Sequence, residues 1–291
     1  MKDGMPALAL TDNGNLYGAI DFYKECTKKG IRPIIGVDCY VAARTRFDRE
    51  PKIDNRRYRL VLLAENMAGY KNLLKLVTDS YLEGFYYKPR VDRELLEKYK
   101  DGLIAILPAW SSEVSDARKG NDQERAESVA SWHLSTFGKD NVFFEITEQD
   151  IAGHKERMEA IKKLGKKMGI PLVAGHDVYY LDPKDRKPRE TMVRIQTGAT
   201  FADREDDGEA DFSFITQEQA QEFFKDTPEA LENTLKIADR IHLELKLGSW
   251  VFPHPPMPEG LTYEEALTKL AYDGIKKRGM ADTPELRERI E

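Results

Sequence analysis

Residues Gly153 to Asp177 read GHKERMEAIKKLGKKMGIPLVAGHD. Met158, Ile161, Leu164 and Met168 recur at helical spacing while Lys162, Lys163, Lys166 and Lys167 take the opposite side, so the pattern predicts a helix from Gly153 to Met168. Gly169 stops it ahead of Pro171. Pro171 to Gly175 then reads as a short aliphatic strand that ends on His176 and Asp177. A helix feeding an apolar strand whose C-terminal end turns polar is the repeating unit of an α/β fold.

The same alternation runs upstream. Five more strands are predicted, at Ala7 to Thr11, Pro33 to Ala42, Tyr58 to Ala64, Gly102 to Leu107 and Asn141 to Thr147. Helical stretches separate most of them, a pattern that builds parallel sheets with right-handed crossovers. The clearest helix begins at Asn66 as N-cap and sets Tyr70, Leu73, Leu74, Val77 and Tyr81 on one face. Beyond Asp177 the segments Asp182 to Arg189 and Asp203 to Asp211 read as loops. Gln217 to Phe224 and Pro228 to Ile241 read as helices, the second with Thr227 as N-cap and Pro228 at its first position. Val251 to Gly260 is rich in proline and reads as a linker, and Tyr263 to Arg278 is a last amphipathic segment.

Composition narrows the function classes. The chain has 291 residues, 45 Lys plus Arg against 51 Asp plus Glu, a net charge of −6, 41% hydrophobic residues and two cysteines. No apolar run approaches the roughly 20 residues of a membrane span. Two cysteines support neither a disulfide framework nor a cysteine zinc site, and no secretory leader opens the sequence, so a cytoplasmic setting is expected. The acidic balance lacks the footprint of a protein that grips a phosphate backbone unaided; a role on nucleic acid requires a local basic patch or a basic partner. Glycine-rich phosphate loops are absent.

Chemistry in α/β barrels gathers at the C-terminal ends of the strands. Those ends carry Asp12 and Asn13, Asp38, Glu145, and His176 with Asp177. Oxygen and imidazole ligands converging from several strands suit a divalent ion and phosphate-ester hydrolysis. Histidine is scarce, however: of the five in the chain, only His176 lies at such a position, and His133, His154, His242 and His254 read as packing or surface residues. Cys26 and Cys39 read as small buried apolar groups, and Ser111 as a turn residue or cap. Gly84 to Arg90, GFYYKPR, reads foremost as a turn that packs its tyrosines; contact with a nucleic acid or a protein is the alternative.

These segments resemble the PHP (polymerase and histidinol phosphatase) domain at the N-terminus of bacterial DNA polymerase III α subunits. The resemblance is carried by Gly4 to Asn15 (GMPALALTDNGN), Arg32 to Ala42 (RPIIGVDCYVA), Tyr58 to Ala64 (YRLVLLA), Gly69 to Val77 (GYKNLLKLV), Tyr81 to Lys100 (YLEGFYYKPRVDRELLEKYK), Gly169 to Leu181 (GIPLVAGHDVYYL), Ile195 to Gly198 (IQTG) and Pro228 to Arg240 (PEALENTLKIADR). It implies a distorted PHP-type (βα)7, TIM-like barrel followed by C-terminal helices. The family's first strand, which carries a His-x-His motif, is missing from this chain, so the barrel is expected to be open on one side. The implied organisation is a barrel with its helices over residues 1–250, a linker over 251–260, and the start of the following palm and thumb region over 261–291.

At the family's metal site the replacements are systematic. The matching positions are Asp12, Asn13, Asp38, Arg59, Ala109, Asp177 and Tyr179, where active members have histidines at 13, 59 and 179, a glutamate at 38 and a cysteine at 109. An amide, a guanidinium, a methyl and a phenol are poor ligands. The resemblance therefore implies no catalytic residue and no cofactor in this chain, with Arg59 pairing with Asp38 or Asp177. The implied role is a scaffold for the rest of the polymerase α subunit that docks the proofreading exonuclease, meeting DNA through the full polymerase and no membrane. The alternative is a metal-dependent phosphoesterase or 3′-5′ exonuclease holding Mg²⁺, Mn²⁺ or Zn²⁺ on Asp12, Asp38, Glu145, His176 and Asp177. A stand-alone phosphatase is a third reading.

Overall fold

Strand β2, Arg32–Ala42, is the hub of the sheet in the computed structural model, which describes residues 4–198, 210–250, 252–253 and 256–291. Its RPIIGVDCYVA sequence is buried on both faces, as its near-continuous apolar run requires. Strand β1, Ala7–Asn13, runs parallel to it over Arg32 to Asp38, and the two-residue β4, Arg90–Val91, takes over the same edge at Tyr40 and Val41. On the other edge lies β3, Arg57–Ala64, followed by β5 Leu103–Leu107, β6 Val142–Ile146 and β7 Leu172–Ala174, in the order β1-β2-β3-β5-β6-β7.

The chain is α/β, with a curled sheet of seven strands. The seventh strand is β4, which is too short to show as a hydrophobic run. β3 is antiparallel to both β2 and β5, against the expectation of an all-parallel sheet. The cause is the connection: residues 43–56 contain no helix, and without a crossover the chain returns beside β2 in the opposite sense.

Alternation divides the side chains into two layers. Outward from the sheet, Val37, Cys39, Leu60, Leu62, Leu103, Ala105, Val142 and Phe144 pack under helices α2 (Met67–Leu82), α3 (Arg93–Lys98), α4 (Glu113–Lys119), α5 (Gln123–Phe137) and α6 (His154–Met168). Inward, Ile34, Val61, Leu63, Ile104, Phe143 and Val173 form an apolar floor sealed by Ile237, Ala238 and Ile241. That seal is α9, Pro228–Arg240, preceded by α8, Gln217–Phe223. Arg240 fastens it by donating to Glu65 Oε1 at 2.9 Å and to the Asp140 carbonyl at 2.6 Å.

Helix α6 has the predicted inward residues, and Gly169 ends it in the left-handed region at φ 68°, a conformation that costs glycine little. In α2, Asn66 accepts from the amides of Ala68 and Gly69, but the inward face is centred on Gly69, Leu73, Leu76 and Ser80. Leu74 and Tyr81, expected inside, are exposed. The helix is rotated because Gly69 seats directly on the Gly102 carbonyl, where any Cβ would collide. Thr227 makes no side-chain cap.

Part of the Asp182 to Arg189 loop is helical: α7, Arg186–Thr197, follows a 3₁₀ turn at Pro183–Asp185. Pro188 falls in its first turn, where a missing N–H breaks no helical bond, and Arg186 pairs with Glu190 one turn on at 2.8 Å. Most of the acidic Asp203 to Asp211 loop, together with Val251 and His254, lies outside the described residues.

Among the described residues β1 pairs only with β2 and β7 only with β6, so the sheet does not close. A groove of about 510 Å³ lies between their edges, lined by Ala7, Leu8, Ala9, Ala174, Phe214 and Leu235 among others. The chain divides into two compact units, Met1–Leu245 and Lys246–Glu291. The second contains α10, Tyr263–Lys277, opened by a Thr262 and Glu265 capping box, and α11, Pro284–Ile290.

Candidate functional site

Register builds the site. Tyr40 on β2 faces Arg59 on β3 and Asp38 faces Val61, so Asp38 and Arg59 are diagonal neighbours on one face of an antiparallel pair, within reach of a long side chain. Glu145 on β6 shares that inner face with Phe143, and Asp177 follows β7. Polar groups thus occupy the same layer as the apolar floor, at the opposite end of the strands.

Arg59 is the centre. Its Nε donates to Asp38 Oδ2 at 2.6 Å, Nη2 reaches the same oxygen, and Nη1 and Nη2 each meet an Asp177 oxygen at 3.3 Å. Its backbone N–H donates to the Ser111 carbonyl at 2.9 Å. Arg59 therefore pairs with both expected carboxylates. Although burial works against its charge, Asp38 and then Asp177 hold the guanidinium pKa above its usual value. Burial raises the Asp38 carboxyl against the pull of Arg59; the residue is 2% exposed and its Oδ1 has no partner.

Glu145 completes the cluster. Burial first, then the nearby Asp177 charge, push its carboxyl up to about 8, so it carries a proton at neutral pH. Gly175 makes room for it, since a Cβ there would strike the carboxyl.

Of the other candidates, Tyr179 borders this cluster and the rest lie apart from it. His176 Nε2 is tied to the Ser213 carbonyl at 2.9 Å, in a small network where Asp211 also accepts from the Ser213 hydroxyl at 2.8 Å. The Asp12 carboxylate lies against Gly18. Asn13 is exposed and Ala109 is core. The Tyr179 ring packs on Phe212 at 5.1 Å beneath Arg189, and burial raises its hydroxyl pKa. Cys26 and Cys39 are buried free thiols. The sequence reading missed the parts played by Ser111, Asp211 and Ser213. Ser111 and Ser213 act through their backbone carbonyls, which residue type does not announce, and Asp211 through a carboxylate that caps the Ser213 turn.

The donor set does not fit a divalent metal. Asp38, Asp177 and Glu145 converge, but a guanidinium stands among them and Glu145 holds its proton. Among the described residues no three His, Cys, Asp or Glu side chains group in a way that could hold an ion. What the arrangement can do is carry one fixed, partly desolvated positive charge between two carboxylates.

Comparison with known proteins agrees with the architecture. Residues 1–149 match the PHP domain family. The chain belongs to that family. DNA polymerase III subunit alpha of Borreliella burgdorferi is 38% identical to this PHP chain over 297 residues, covering 99% of the chain and 26% of the relative. Those of Chlamydia pneumoniae (38% over 283 residues; 86% and 23% covered) and Thermus aquaticus (35% over 292; 94% and 23%) are similar too. The PHP chain thus spans about a quarter of the length of these curated relatives. Among solved structures, an amidohydrolase from Chromobacterium violaceum aligns with a TM-score of 0.38 and 11% identity over 59% of this chain and 76% of that one, a likeness that carries no argument. No described helix is long and apolar enough to cross a membrane.

Proposed function

We propose that this chain is the PHP portion of a bacterial replicative DNA polymerase α subunit and serves it as a non-catalytic scaffold, supporting the polymerase and docking the proofreading exonuclease in the cytoplasm. The observation that carries this reading is Arg59, bonded to Asp38 and Asp177 where the resemblance puts a metal cluster. A built-in cation of fixed geometry supplies the charge balance the carboxylates need and provides neither a Lewis acid nor a bound water to attack phosphorus. That the relatives are named as polymerase α subunits supports the setting. In this reading residues 1–250 form the supporting barrel, 251–260 the linker, and 261–291 lead into the polymerase.

A second reading draws on the unpartnered Oδ1 of Asp38 as an oxygen donor and on the raised Glu145 carboxyl as a proton donor, groups that a phosphoesterase could use. Elemental analysis after incubation with Zn²⁺, Mn²⁺ and Mg²⁺ and desalting separates the two. The scaffold reading expects no stoichiometric metal. Retention of about two or three ions per chain, with metal-dependent phosphodiesterase activity, overturns it.

A further inference from the structure

The turn at Gly84 to Arg90 packs only some of its rings. Tyr86 lies beneath the Arg90 guanidinium at 5.2 Å, whereas Tyr87 and Phe85 are 70% and 49% exposed. Tyr87 sits at φ 61°, a left-handed conformation that a bulky residue rarely adopts. The strain is held from below: Arg90, fully buried, donates to the carbonyls of Gly84, Arg46, Asp48 and Asp54, all at 2.8–3.0 Å. A buried cation satisfied entirely by backbone thus fixes a turn that projects two rings into solvent. Backbone strain sustained in this way motivates a functional reading.

The rings continue across the surface. Phe85 stacks with Tyr81 at 6.1 Å, and Tyr17, a neighbour of Tyr81, is 81% exposed. Tyr40 lies alongside, with Arg57 over its ring at 5.9 Å and Lys88 at 5.8 Å. Arg49 follows Asp48, whose carbonyl Arg90 holds. Among the described residues Arg57, Lys88 and Arg49 form no ion pair, while neighbouring Arg44, Arg46, Arg56 and Arg59 are each matched to acids. In a chain of net charge −6, unmatched cations between exposed rings form a local exception to the average.

From this interleaving we infer that the Tyr17, Tyr40, Phe85 and Tyr87 face binds single-stranded nucleic acid, its bases stacking on the rings and its phosphates meeting Arg57, Lys88 and Arg49. A protein-docking patch would present a contiguous apolar centre inside a polar rim; here charge and ring alternate. The inference is independent of the Arg59 reading, and it revises the expectation that DNA is met only through the rest of the polymerase.

The test is fluorescence anisotropy of a labelled oligothymidylate of about 16 nucleotides with the full 291-residue chain. Binding is expected at low salt, with a slope of log affinity on log salt near −2 for three phosphate contacts, and Lys88→Gln is expected to flatten it by about 0.7. Phe85→Ala and Tyr87→Gly should each weaken binding at least about fivefold. Tyr87→Gly keeps the control clean, because glycine accepts the left-handed conformation and the fold should be as stable or more so. No binding, or affinity indifferent to both ring variants, overturns the inference. Tighter capture of a poly-glutamate peptide than of the oligonucleotide also overturns it and assigns the face to an acidic protein segment.

Discussion

Arg59→Ala is the perturbation that bears most directly on the site. Asp38 leans on Arg59 through Oδ2 and has no partner for Oδ1, so truncating the arginine strands a carboxylate that is 2% exposed. The Asp177 leg is weaker, with 3.3 Å contacts to a side chain 39% exposed; pairs of that kind contribute below about 1 kcal/mol. Breaking a buried pair by removing one partner costs about 3 to 5 kcal/mol. Arg59 is itself a quarter exposed (25%), and the water reaching it places the expected loss at the lower end, about 3 kcal/mol.

For a unit of this size that loss corresponds to a fall of about 6 to 12 °C in Tm. The pH dependence follows from the raised Asp38 pKa in the fold. Below about pH 4 the carboxyl is protonated folded and unfolded alike and the penalty vanishes; it grows as pH rises, until the folded pKa is passed. Urea titrations at pH 4 and pH 7 should therefore show the midpoint difference opening with pH at unchanged m. Adding Asp38→Asn to the variant should recover about half of the loss, since the stranded charge is gone. A loss below about 1 kcal/mol at pH 7, or a double variant no better than the single, would refute the account.

Three further outcomes follow from buried polar groups. Glu145, at about 8 in the fold, should make wild-type stability fall as pH rises from about 4.5 to 8; Glu145→Gln should remove that slope, as urea midpoints across this range will show. His133 behaves in the opposite sense: burial lowers it to about 4, so stability is held above about pH 6.5 and lost as pH falls toward 4, and His133→Phe should flatten that acid limb in thermal melts. Arg90→Met removes the guanidinium donor from four carbonyls and leaves the buried ones of Arg46 and Asp54 unsatisfied; it should cost about 3 kcal/mol or more, with faster amide exchange confined at first to residues 43–56 and 84–90.

The strands were legible in the sequence because each is a short aliphatic run with a helix or turn beside it. β4 was not, since Arg90–Val91 is two residues long and its pairing with β2 is a tertiary event. The sense of β3 was hidden for a related reason, because direction depends on what connects two strands and not on their own composition. At the site, Arg59 with Asp38 and Asp177 was readable through the family resemblance, which set a cation among carboxylates that have few other ways to be satisfied. The displacement of His176 was not: its partner is the carbonyl of Ser213, 37 residues on, and any residue could have supplied it. Leu74 and Tyr81 fit a helical face by spacing, but the Gly69 and Gly102 contact fixed the rotation, and glycine carries no weight in a hydrophobic pattern.

The unclosed sheet has a practical consequence for the isolated chain. Among the described residues β1 has an unpaired ladder edge along ALALTDN, with no proline and a single charge, and edges of that kind are templates for pairing with another copy. Purified alone and concentrated, the chain should form oligomers and then precipitate, with light scattering rising steeply with concentration. Ala9, exposed on that edge, is the place for a gatekeeper: Ala9→Lys should keep the protein monomeric.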